Sequence, residues 1–128
     1  MQATFYAGIC YYFLGKWRQA TAHLRDAISL FQETGDIFTL ELAHENLGFT
    51  YYYQGDFETA VAHFQKGLEL SQEVGDNRGT VVNRMLIARV DVVYGRIESA
   101  ERQIAMAEVT AESVRDNSLN AGVAYTRG

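Results

Sequence analysis

The chain has 128 residues, 48% hydrophobic and 21% charged, with a formal net charge of -5 and an isoelectric point near 5.1. That length suits one compact domain or one short repeat array, and the acidic balance argues against a nucleic-acid backbone as partner, which calls for a strongly basic face. The single cysteine, Cys10, excludes an internal disulfide and fits a reducing compartment.

The chain opens on an uncharged stretch, residues 2–15. It is too short to span a bilayer. No basic residues precede it, and aromatic side chains stand where a secretion signal carries aliphatic ones. The chain is therefore expected to be cytoplasmic, with no membrane association. The apolar spacing of this stretch predicts a first helix over 2–14. Gly15-Lys16-Trp17 breaks it, and a second helix is predicted over 17–34.

Thr34-Gly35-Asp36 then supplies a glycine stop and an aspartate start, the aspartate carboxylate being placed to accept from unpaired first-turn amides. Leu40, Ala43, Leu47 and Tyr51 recur at helical spacing, predicting a helix over 37–54. Gly55-Asp56-Phe57 restarts the chain, and Ala60, Val61, Phe64 and Leu68 predict the next helix over 57–74. Val74-Gly75-Asp76 opens a fifth over 77–94, Gly95-Arg96-Ile97 a sixth over 97–114, and Asp116 a seventh over 117–127. All seven are α-helical; no segment alternates as a strand does.

Gly15, Gly55 and Gly95 stand 40 residues apart, and the same shift aligns Ala20, Ala60 and Ala100; Leu24, Phe64 and Ile104; His23 and His63; and Asp36, Asp76 and Asp116. The chain is thus an internal repeat, each period a pair of helices. One pair cannot cover its own apolar faces, so the pairs must stack into a solenoid. Ala7/Gly8, Gly48 and Ala88 on first helices are expected to meet Ala20, Ala60 and Ala100 on second helices at close backbone approach. The repeats run over about 1–36, 37–76 and 77–116, with a partial fourth over 117–128. Phe5, Tyr6 and Ile9 do not form the polar outer face of a terminal repeat, and with the partial fourth copy they lead to the expectation that the sequence is part of a longer array.

Leu47-Gly48-x-x-Tyr51 followed by Ala60-x-x-x-Phe64 resembles the tetratricopeptide repeat, with Ala7-Gly8-x-x-Tyr11 and Ala20-x-x-x-Leu24 as the first copy. The third copy is weaker, Ile87-Ala88-x-x-Asp91 and Ala100-x-x-x-Ile104. The resemblance implies a right-handed α-solenoid of antiparallel helix pairs. The family period is about 34 residues; the longer period here, with Glu73-Val74-Gly75-Asp76-Asn77-Arg78-Gly79, is similar to the long-repeat subgroup of cell-polarity scaffolds and MalT-like regulators. Thr4, His44 and Arg84 stand where the family often has tryptophan, and the chain has no proline.

In such a solenoid the first helices line a concave groove. By helical spacing the groove residues are Phe5, Ile9, Tyr12 and Phe13 in the first copy, Glu45, Asn46, Phe49, Tyr52 and Tyr53 in the second, and Val82, Met85, Arg89 and Val92 in the third. This aromatic, mostly uncharged set suits an apolar or amphipathic protein segment. The carboxylate clamp by which some family members hold chaperone tails is not expected, since among Phe5, Ile9, Asn46, Val82 and Leu86 only Asn46 matches it.

The remaining polar residues have plainer readings. Arg78, Arg84, Arg89, Arg96, Arg102 and Arg115 are expected to form a solvated face with local pairs such as Arg102 with Glu98, the alternative being an anionic docking patch; Glu45 and Arg89 could pair across neighbouring first helices. Asp91, in a slot filled elsewhere by Tyr11 and Tyr51, needs Arg84 or Arg127 as a partner, or else a loosened third repeat. His23 and His63 are expected on the outer surface, His44 without a companion, and Cys10 in the core. No metal-ligand spacing, phosphate loop or nucleophile elbow occurs, so no enzyme, metal or cofactor is expected. The chain reads as a non-catalytic scaffold or sensor. A homodimer formed through the apolar ends near Phe5, Ile9, Val123 and Tyr125, or ligand sensing within a MalT-like regulator, are the alternatives.

Overall fold

The computed structural model describes the backbone of residues 2–127 and the side chains of residues 4–11 and 13–115. Six helices follow one another: α1 (Gln2–Phe13), α2 (Trp17–Thr34), α3 (Ile37–Tyr53), α4 (Phe57–Val74), α5 (Asn77–Val93) and α6 (Ile97–Arg127). Each packs on the next, and α1 also reaches α3. This is the stacking expected of a helical solenoid.

The turns explain the register. Gly15, Gly35, Gly55, Gly75 and Gly95 all take φ between 71° and 83°, a left-handed conformation in which a Cβ would be strained. Asp36, Asp56 and Asp76 follow three of them and accept from the amides of Thr39, Thr59 and Gly79 at 3.2, 3.3 and 3.1 Å. These caps satisfy donors that the start of a helix leaves open.

The expected break before a seventh helix does not occur. At the position of Gly35 and Gly75 the third repeat carries Arg115, and without a residue suited to the left-handed turn the backbone stays helical through Asp116 to Arg127. The predicted sixth and seventh helices are one helix of 31 residues.

Two apolar clusters make the core. Phe5, Leu24, Ala27, Phe31, Leu40, Ala43, Leu47 and Leu70 form the first, and Ala60, Phe64, Leu86, Ile87 and Val90 the second, with Tyr51 packed against both. Small residues set the helix spacing. A methyl group on Gly48 would lie 2.5 Å from Phe64 Cε1 and 3.2 Å from the Ala60 carbonyl oxygen, and one on Gly8 would lie 2.9 Å from Leu24 Cγ.

Candidate functional site

Small and apolar residues on α2 and α4 recur every three or four positions and are turned inward, Ala20, Leu24, Ala27 and Phe31 on one and Ala60, Phe64, Gly67 and Leu70 on the other. The first helices of each pair carry too many apolar residues to bury on one side. The excess is left in solvent: Tyr6 and Phe13 on α1, Phe38, Leu42 and Tyr53 on α3, and Met85, Val92 and Val93 on α5 are all exposed, whereas α2 and α4 expose no large hydrophobic side chain.

Two contacts tie α3 to α5 along this face. The Arg89 guanidinium lies over the Tyr52 ring, 6.0 Å from its centroid, and Arg78 approaches Glu45 at 3.9 Å. The expected Glu45–Arg89 pair is replaced by these two. At the turn end of α3 the rings run in series: Trp17 stacks on Tyr53, Tyr53 meets Tyr52 edge to face, Tyr52 meets Phe57, and Phe57 meets Tyr94. Beside Arg89, an open pocket of about 220 Å³ is lined by Met85, Leu86, Ala88, Val92 and Ile104.

The residues expected on the inner face therefore divide. Phe13, Tyr53, Met85, Arg89 and Val92 are exposed, and Ile9, Glu45, Asn46, Phe49, Tyr52 and Val82 are half-buried. Phe5 is instead 5% exposed, because its ring packs edge to face on Phe31. Phe49 likewise turns an edge to Phe64. The Asn46 amide donates to the Leu42 carbonyl of its own helix at 2.8 Å. The Tyr12 side chain lies outside the described residues, as do those of Arg127, Val123 and Tyr125.

The polar slots between paired helices also depart from expectation. His44 is 7% exposed and meets His63 Nδ1 to Nδ1 at 3.0 Å, while His63 stacks on Tyr51, whose hydroxyl accepts from Arg25. His23, half-buried, stacks on Tyr11. Burial, then the neighbouring His63, pushes the His44 imidazole down to about 4; burial and Arg25 lower His63 as well. The repeat register contained the signal, because the slots 40 residues on, Arg84 and Gln103, are also bonded, at 3.1 Å.

Asp91 is buried and accepts from Ser99 Oγ at 2.7 Å, while Arg84 turns instead to Gln103 and Met106, and the third repeat is helical through Asp91. Arg96 lies over Tyr94, and Arg102 makes no ion pair with Glu98 among the described residues. Arg78, Arg84, Arg89 and Arg96 each hold a separate contact, and Arg96 and Arg102 line one surface recess with Glu98 and Ser99. Cys10 is exposed, not part of the core.

Glu41 was not singled out by its pattern, yet it is 1% exposed. Neither carboxylate oxygen has a hydrogen-bond partner among the described residues. It lies where a side chain on Gly79 would stand, so that a methyl there would overlap Oε1. Burial, then the adjacent Asp76 carboxylate, pushes Glu41 up to about 7. Burial raises Glu45 too, against the pull of Arg78. Among the described residues no group of three or more His, Cys, Asp or Glu could hold a metal ion, and no helix is long and apolar enough to cross a membrane.

Stacked helix pairs of fixed register, with apolar side chains left exposed on the first helices, define the class of helical-repeat interaction proteins. The chain belongs to the tetratricopeptide repeat family: one tetratricopeptide repeat model matches residues 38–108 and a second matches residues 2–34. Among solved structures, the TPR domain of Arabidopsis FLU is similar over 87% of this chain and 93% of its own, with a TM-score of 0.79 and 19% identity. No curated protein sequence matches. Family and fold are those of scaffolds for protein interaction, a class that is typically non-catalytic.

Proposed function

We propose that this chain binds an apolar or amphipathic protein segment in the groove formed by α1, α3 and α5, as the scaffolding or sensing part of its protein. The observation that carries this reading is the asymmetry of exposure, with large apolar side chains in solvent on α1, α3 and α5 and none on α2 or α4. Among the second helices only α6 exposes large apolar side chains, Ile97, Met106, Val109 and Val114; an apolar surface recurring on every first helix is maintained against its hydration cost when a partner covers it. Within the groove, Phe13, Tyr53, Met85, Arg89 and Val92 meet the partner directly. Ile9, Glu45, Asn46, Phe49, Tyr52 and Val82 form its floor, and Phe5 supports that floor from below.

The test is a comparison of two double variants against one bound protein or peptide. Leu42→Ser with Met85→Ser alters the groove, and Lys66→Ser with Glu69→Ser alters the opposite surface. Loss of affinity only in the first supports the groove. Equal affinity in both, with unchanged helicity, sinks it.

A second reading, self-association, is favoured by one observation. Met106 and Val109 on α6 are exposed at the positions where α4 carries the Lys66–Glu69 ion pair. Light-scattering mass across a concentration series decides it, a constant monomer mass removing the idea.

A further inference from the structure

The charges on the first helices are distributed unevenly. α1 contains no charged residue. The carboxylates of α3 and α5 are withdrawn: Glu41 and Asp91 are buried, and the Glu45 side chain is 12% exposed and faces Arg78. Arg89 is exposed, and its guanidinium rests on the Tyr52 ring with no carboxylate partner among the described residues. In a chain of net charge -5, the groove therefore presents one uncompensated positive charge, and its acidic groups lie elsewhere or inside.

Arg89 also forms part of the wall of an apolar pocket between α5 and α6, with Met85, Val92 and Ile104 beside it. At about 220 Å³ this pocket is smaller than the roughly 300–1,000 Å³ of small-molecule sites. It has room for one bulky side chain. A guanidinium at the edge of an apolar recess, partly shielded from water by an aromatic ring, favours a carboxylate placed next to an apolar anchor. The cation–π contact holds the guanidinium in place without neutralising it.

We infer that the segment bound in this groove carries a bulky aliphatic or aromatic side chain that fills the pocket and an adjacent Asp or Glu whose side-chain carboxylate pairs with Arg89. This rests on the groove reading above and adds the partner's chemistry to it. The pairing is specific to the third repeat, because Phe49 stands at the equivalent position of the second repeat and Ile9 at that of the first.

The experiment is selection of a displayed random peptide library on the intact chain, followed by affinity measurement of the enriched peptides. Enriched sequences are expected to place Asp or Glu within one helical turn of a bulky apolar residue. Arg89→Glu should weaken them about tenfold or more, the size of a lost charge-assisted contact. Exchanging the peptide acid for Lys should restore binding to Arg89→Glu. Peptides that lose affinity to the Leu42→Ser with Met85→Ser variant but are indifferent to Arg89→Glu overturn the inference and leave the groove reading intact. So do peptides whose only required carboxylate is the chain terminus. No enrichment, or peptides indifferent to both variants, overturns the inference and the groove reading together.

Discussion

His44 and His63 meet nitrogen to nitrogen at 3.0 Å inside the second repeat, and Glu41, one turn earlier on α3, is buried without a hydrogen-bond partner among the described residues. The two sites respond to acid in opposite senses. His44 falls from 6.5 to about 4 on folding, so below 6.5 the unfolded chain takes up a proton that the folded chain refuses, and stability drops. Glu41 rises from 4.5 to about 7, so below 7 the folded chain takes up the proton first, and stability increases. Each shift corresponds to about 3 kcal/mol across its window, and the contributions oppose each other between about 4.5 and 6.5.

Single substitutions are expected to expose each slope. His44→Gln should make the protein more resistant to urea as pH falls from 6.5 to 4.5, and Glu41→Gln should make it less resistant over the same range. Denaturation midpoints at four or five pH values suffice. If neither substitution changes the slope, these two groups do not titrate as described.

Gly79 and Glu41 share one volume, since a methyl on Gly79 would overlap the Glu41 carboxylate. Gly79→Ala is expected to destabilise the chain by about 1–3 kcal/mol through overpacking, although alanine is the better helix former by about 1 kcal/mol. In a Glu41→Ala background the same change should cost clearly less, the close contact that remains being the Asp76 carboxylate at 2.7 Å. A double-mutant cycle measures this coupling, and additivity would refute it.

Asp91 keeps its place in a slot filled by tyrosine in the other repeats through Ser99, at 2.7 Å. Ser99→Ala leaves the buried carboxylate without that donor and is expected to cost about 1–3 kcal/mol. Asp91→Leu combined with Ser99→Ala should recover most of the loss, because both polar partners are then gone. Chemical denaturation of the three variants checks the order.

Arg115 stands where Gly35 and Gly75 end their helices. Arg115→Gly is expected to end α6 near residue 114, so that amide exchange beyond residue 115 accelerates while that of 97–113 is unchanged. Uniform protection across α6 in both forms would show that the glycine is not what terminates these helices.

Much of the architecture was legible in the residues themselves. Glycine at 15, 35, 55, 75 and 95 and aspartate at 36, 56 and 76 are local devices, governed by φ and by unpaired amides within a few residues, and they set the helix boundaries in the first five turns. The aromatic excess on α1, α3 and α5 was equally visible, because helical spacing alone distributes side chains around an axis.

What spacing could not decide was which neighbour each side chain meets. Phe5 and Phe13 both follow the first-helix pattern, yet one packs on Phe31 and the other stands in solvent. His63, expected on the outer surface, is half-buried against His44, expected to have no companion, because the pairing joins residues 19 apart on two helices, a distance no single-helix pattern contains.

The sequence by itself determined the repeat and its helix pairs, since each follows from short-range stereochemistry and from a period that can be counted. The tertiary structure alone decided that Arg89 rests on Tyr52 and Glu45 on Arg78, and that Glu41 fills the space above Gly79. Those outcomes depend on the separation and tilt of packed helices. Shifts of a few ångströms there determine whether a charge finds a partner, a ring or water.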